Sequence, residues 1–218
     1  IRASSGTGSG TAYVLNLGQY SQLTATAPGA TFTFANLGNV AADLVRIYGA
    51  NWASRNDLLW GVVGKNSSGT IVYASEARSL PTVDIPYSPI TDTDELTAIG
   101  NSISSVLFNG YQGLESSAGS PRAVDQVGTT GAASYIYQVA TPGTLDFGVW
   151  QNIEAIVGGD DVLDIYRINT STVTNPGYLS LGNDGSITFT AVPEPSASLL
   201  GAGAAVLLVL RRNRKSSI

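Results

Sequence analysis

The side chains that carry most enzyme chemistry are missing from this 218-residue chain, which has no histidine and no cysteine. Their absence removes the usual general base, the thiol nucleophile and the soft metal ligands, so ordinary zinc and copper sites are excluded. A Ser–Lys pair has one candidate, Lys65, the only lysine before the C-terminal tail, and it lies in the polar turn Lys65-Asn66-Ser67-Ser68-Gly69. Two carboxylates suffice for glycoside hydrolysis. The candidates are Asp57, Asp84, Glu115, Asp146 and Glu154, though spacing alone brings no two of them together. Calcium takes hard oxygen ligands, and two acidic groups fit that chemistry: Asp92, Asp94 and Glu95, and Asp160, Asp161 and Asp164. The first group also reads as a helix cap and the second as a turn, so no cofactor is expected and calcium is a minor alternative. Aromatic faces can stack on sugars. Trp60 sits in an apolar run and reads as core, while Trp52 and Trp150 have polar neighbours and are the speculative sugar contacts.

The elements that must position these residues are mostly strands. Residues 12–17, 23–26 and 31–34 read as β, the last placing Phe32 and Phe34 on one face. A helix over 41–48 follows Asn39 as its cap and ends at Gly49. Residues 58–63 form a continuous apolar run, expected as a strand buried on both faces, with 70–75 returning as its hairpin partner. Asp92 three residues before Glu95 starts a second helix, with Leu96, Ile99, Ile103, Val106 and Leu107 on one stripe and Gly110 as its stop. Strands are expected at 134–139, 161–168, 178–181 and 186–190, the last two joined by Gly182-Asn183-Asp184-Gly185. Residues 151–156 remain ambiguous between helix and strand. Together these predict a mainly β domain, a β-sandwich or jelly-roll-like ectodomain with one or two short helices. It covers 11–191, behind a flexible Ser/Gly-rich lead at 1–10.

Only 12% of residues are charged, and the net charge is −5. The tail carries +3, which leaves the preceding part near −8 and argues against nucleic acid or an anionic polymer as partner. Residues 192–218 have their own logic. Val-Pro-Glu-Pro-Ser is followed by the uncharged run 197–210 and then by Arg211, Arg212, Arg214 and Lys215. As a helix the run reaches roughly 21 Å, short of the ~30 Å hydrocarbon core. The basic end then stays cytoplasmic, with everything before it outside.

Pro193, Glu194 and Pro195, the short Gly/Ala/Leu helix and the Arg-rich end resemble the PEP-CTERM sorting signal. That resemblance implies export, transient anchoring in the inner membrane by a C-terminal transmembrane helix, and processing by an exosortase-type protease. It further implies a final place at the cell surface or in a polysaccharide-rich extracellular matrix. An N-terminal export leader is expected too, and residues 1–10 contain no apolar stretch that could serve as one. The expected function is therefore structural or adhesive and non-enzymatic, with exopolysaccharide as a possible partner. A carbohydrate-binding module is the first alternative and a carboxylate-based glycoside hydrolase the second.

Overall fold

The computed structural model describes residues 1–78, 86–104, 122–127, 134–140, 153–159 and 162–192. In chain order the strands are β1 (Arg2–Ala3), β2 (Thr11–Leu15), β3 (Thr31–Thr33), β4 (Leu58–Gly61), β5 (Val63–Lys65) and β6 (Val72–Ala77). They continue with β7 (Ala123–Val127), β8 (Glu154–Ile156), β9 (Val162–Ile168), β10 (Val173–Leu181) and β11 (Ile187–Ala191). The helices are α1 (Ser21–Thr24), α2 (Val40–Tyr48), α3 (Thr93–Ser104) and α4 (Tyr135–Ala140), with a 3-10 turn at Trp52–Ser54. One sheet runs β7-β2-β1-β4-β8 and the other β3-β11-β10-β9-β6-β5. Every pairing in both sheets is antiparallel. The protein is mainly β, with few and short helices.

Alternation along the strands builds two apolar layers. Leu163 and Ile165 of β9 point into the core shared with Leu179, Phe189, Tyr13, Leu58 and Trp60, drawn from both sheets. Leu44, Ile47 and Tyr48 of α2 close that core. Tyr166 and Ile168, one residue out of phase, belong to a second cluster with Val72, Ala74 and the α3 residues Leu96, Ile99 and Ile103. Ala12, Val14 and Val124 join it beneath Tyr135 and Ile136 of α4.

The two longer helices start as their sequences predict. The Asn39 side chain accepts the Ala42 amide, and α2 stops at Gly49, whose φ of +93° suits glycine. Asp92 Oδ1 accepts the Asp94 amide at 2.8 Å and, more weakly, the Glu95 amide at 3.4 Å. Val106, Leu107 and Gly110 lie outside the described residues. The hairpin at 182–185 forms, with Gly185 at φ +78° and the Ser186 amide bound to Asp184 Oδ1. Residues 154–156, ambiguous in sequence, are strand β8.

Four expectations change. The run 58–63 is not one strand: β4 pairs with β1 and β8 in one sheet, and β5 then pairs with β6 in the other. Gly61 lies at the crossover, where a Cβ would sit 2.7 Å from Tyr135 Oη and 2.8 Å from the Ile153 carbonyl. No side chain fits there. Ser75 ties the crossover down, its hydroxyl accepting the Val62 amide and donating to Ile153 O.

The expected strand at 134–139 is helix α4, because local hydrogen bonds override the alternating pattern. Gln126 Oε1 accepts the Tyr135 amide, and the Gln138 amide closes onto Ser134 O. Residues 23–26, expected as β, belong to the one-turn helix α1 and the bend behind it. Finally, the lead at 1–10 is not loose. Arg2–Ala3 is an inner strand of its sheet, and the following loop is bound to Arg55 and Asp57.

Candidate functional site

The two candidate carboxylates among the described residues, Glu154 and Asp57, are engaged in structure. Arg2 grips Glu154 through Nε at 2.9 and 3.1 Å and through Nη2 at 2.6 Å, and Tyr135 Oη donates to the same carboxylate at 3.1 Å. Both partners of the pair are largely buried, at 14% and 11% exposure. Burial first, and the Glu154 charge second, push the Tyr135 hydroxyl well above its ordinary range, so it stays a donor. This is a closed network across β1, β4 and β8.

Arg55 is a second hub. It donates to both oxygens of Asp57, at 2.8 and 2.7 Å, and to the carbonyls of Thr7, Tyr48 and Ser5. The Arg55 hydrogen bond, followed by weaker help from Ser5, holds the Asp57 carboxyl well below the usual range. An acid held this firmly ionised is a poor proton donor. Asp84, Glu115 and Asp146 lie outside the described residues.

The acidic groups considered for calcium separate. Asp92 is occupied with the amides of α3. Asp160 and Asp161 lie outside the described residues, whereas Asp164 is buried on β9, opposite Glu76 in register. Arg78 reaches toward it, Nε to Oδ1 at 3.9 Å, while its guanidinium sits 3.9 Å over the Tyr178 ring. Burial raises the Asp164 carboxyl above its ordinary value, opposed by the neighbouring Asn175 amide and Arg78. Asp164 Oδ1, Arg78 Nε and Asn175 Nδ2 nonetheless make no hydrogen bond within the protein. Among the described residues no three acids converge on a cation position.

The tryptophans also sort by burial. Trp60 is 2% exposed and belongs to the core, as its apolar run implies. Trp52 is 3% exposed, packed in the same cluster from the 3-10 turn. That corrects its reading as a sugar contact, since a stacked ring needs an open face. The polar Asn51 beside it reflects the turn it starts, not a ligand surface. Trp150 lies outside the described residues, as do Pro193, Glu194, Pro195 and the whole sorting tail. Among the described residues no helix is long and apolar enough to cross a membrane.

What the sequence did not single out is a cleft of about 540 Å³ between the two sheets, within the size range of small-ligand sites. The inner-face residues Tyr13, Trp60, Ile165, Leu179 and Ile187 form its floor, and residues 14–20 with Leu23 run along one side. Tyr20, just before α1, stacks on Tyr73 of β6 with centroids 3.6 Å apart and planes 21° from parallel. Lys65 and Arg122 are the charged side chains in the described lining, which contains no carboxylate. Trp60 Nε1 and Tyr20 Oη are buried in its walls without a hydrogen-bond partner. Burial first, then Tyr73, raises the Tyr20 hydroxyl above its ordinary range, so it too stays protonated. The advance signals were Trp60, read as core, and Lys65, a lone lysine before the tail of an acidic chain. Tyr20, Tyr73 and Arg122 meet only through the fold.

No protein-family model, no curated protein and no solved structure matches this chain.

Proposed function

We propose that this chain is an exported, non-enzymatic surface or extracellular-matrix protein, structural or adhesive in role and associated with exopolysaccharide. On this reading its two sheets form a β-sandwich or jelly-roll-like domain, and its tail is a sorting signal that an exosortase-type protease processes after brief anchoring in the inner membrane. The carrying observation is the order of three elements at 193–215: Pro193-Glu194-Pro195, an uncharged run too short for a comfortable span, and a basic end. The non-enzymatic part is supported by how the described acids are used. Asp57 and Glu154 each sit in an arginine clamp, and the described cleft lining offers no acid pair for hydrolysis. Attachment to polysaccharide then arises from many weak contacts on many copies. The carbohydrate-binding-module alternative loses its Trp52 platform to the core.

The test is processing in cells. Replacing Pro193, Glu194 and Pro195 with alanine leaves a membrane-retained precursor, and deleting residues 197–215 releases the protein from the membrane. Normal maturation of the triple variant overturns the sorting reading. Release of reducing ends from a purified polysaccharide, lost on replacing one carboxylate, overturns the non-enzymatic one.

A further inference from the structure

The two charged residues in the described lining of the inter-sheet cleft have their business elsewhere. Gly64 faces Tyr73 on the cleft side, where a Cβ would meet that ring at 3.5 Å, so alternation along β5 turns Lys65 to the opposite face. There the Lys65 Cδ would lie 3.6 Å from a Cβ on Gly100 of α3, and Val63 packs into the same outer cluster. Arg122 lies beside Gly18 and is already engaged by the protein. What the walls keep are two hydrogen-bond donors. Trp60 Nε1 and Tyr20 Oη are buried in residues of the lining, and among the described residues neither has a partner.

We propose that the cleft binds an uncharged, mostly hydrocarbon small molecule carrying one carbonyl, whose oxygen accepts from the Trp60 indole N–H. The walls select the body: Val14, Leu17, Leu23, Phe34, Ile165 and Leu179 present carbon, and carbon surface leaving water is the main source of affinity in such a site. The volume of about 540 Å³ admits a molecule of that kind. The donors select the carbonyl. A buried N–H without a partner forfeits its hydrogen bond, and an entering acceptor restores it. A pure hydrocarbon leaves the N–H unpaired, and a saccharide sets its own hydroxyl donors against carbon. A carboxylate gives up its hydration in a cleft that Lys65 faces away from. The connection over the cleft can yield to a ligand. Asn16, Gly18 and Gln19 are exposed, α1 buries none of its residues, and the segment is held by the Tyr20–Tyr73 stack with Leu17 and Leu23.

The test is a fluorescence titration of the full chain with a neutral naphthyl ketone, whose emission shifts with polarity and with hydrogen bonding at its carbonyl. The control is the same naphthalene without the carbonyl. The ketone binds about fivefold more tightly than the control, the increment of one net hydrogen bond. Trp60→Phe keeps a ring in the core, removes the N–H and brings the two affinities level. Gly64→Val fills the space beside Tyr73, the only residue within 4 Å of a Cβ there, and abolishes binding of both without lowering the melting temperature. Should Trp60→Phe fail to fold, the native ratio of ketone to control and Gly64→Val decide. Equal native affinities, a ketone preference that survives Trp60→Phe, or tighter binding of the matching naphthyl carboxylate each overturns the proposal. So does binding that survives Gly64→Val, which would place the probe elsewhere, on the apolar run 197–210 for instance.

Discussion

The seam around β1 and the cleft between the sheets share strands of the same sheet, yet they treat charge in opposite ways. At the seam Arg2 is closed on Glu154 and Arg55 on Asp57, with backbone carbonyls filling the other Arg55 donors. At the cleft, Lys65 borders mostly apolar walls, in which the Trp60 and Tyr20 donors make no hydrogen bond. The seam's ion pairs hold a glycine- and serine-rich segment that has little side-chain surface of its own to bury. Lys65 borders a described cleft lining without an acid. A residue's charge is thus a weak guide to function, and the identity of its surroundings is a better one.

The largest effect that would sharpen this contrast is expected at the cleft floor. Trp60 belongs to the core although it lines the cleft, so Trp60→Ala costs about 3–5 kcal/mol in denaturant unfolding. An unchanged midpoint would make the ring part of an open site instead. Gly61→Ala comes next, at about 1–3 kcal/mol, because the new methyl meets a backbone carbonyl and the Tyr135 hydroxyl at the crossover. A neutral result would mean that the crossover relaxes freely and does not fix the cleft. Asn39→Ala, remote from both regions, removes one cap and costs about 1 kcal/mol. It is the control for ordinary helix ends.

Smaller still are the pH effects, which have opposite signs in the two kinds of acid. Asp57 is held below the usual carboxylate value, so its contribution is present above about pH 4 and is lost as pH falls below that toward its depressed pKa. An Asp57→Asn chain therefore shows less acid destabilisation than the native one. Asp164 is raised by burial, so its ionisation opposes folding as pH rises through and above the usual value. Asp164→Asn then gains in melting temperature relative to the native chain on going from pH 4 to pH 7. The reverse trend would mean that Arg78 compensates that carboxylate fully.

Local signals in the sequence are legible and crossings between sheets are not. Asn39, Gly49, Asp92 and the Gly182–Gly185 turn announce their elements because caps and tight turns depend on a few adjacent residues. The 58–63 run gives no hint of its break at Gly61, whose need for glycine comes from Tyr135 and Ile153, far away in sequence. For the same reason α4 is hidden, since its first amide is satisfied by Gln126 of β7. Composition misleads at the N-terminus: ten residues rich in glycine and serine look loose, but Arg55 supplies the contacts that they cannot make for themselves. Of the cleft, only Trp60 and Lys65 stand out in the sequence, and Trp60 correctly as core.

The most direct test of the contrast is the thermal unfolding of two single variants of the full chain, Arg2→Met and Lys65→Met. Removing Arg2 strands Glu154 in a mostly buried position, a loss of about 3–5 kcal/mol, and lowers the melting temperature by about 10 °C for a domain of this size. Removing Lys65 leaves the melting temperature within about 1 °C, as for an ordinary surface change. Equal losses in the two variants, or an unmoved Arg2→Met, would contradict the division between charges that hold the fold and the lysine that borders the cleft.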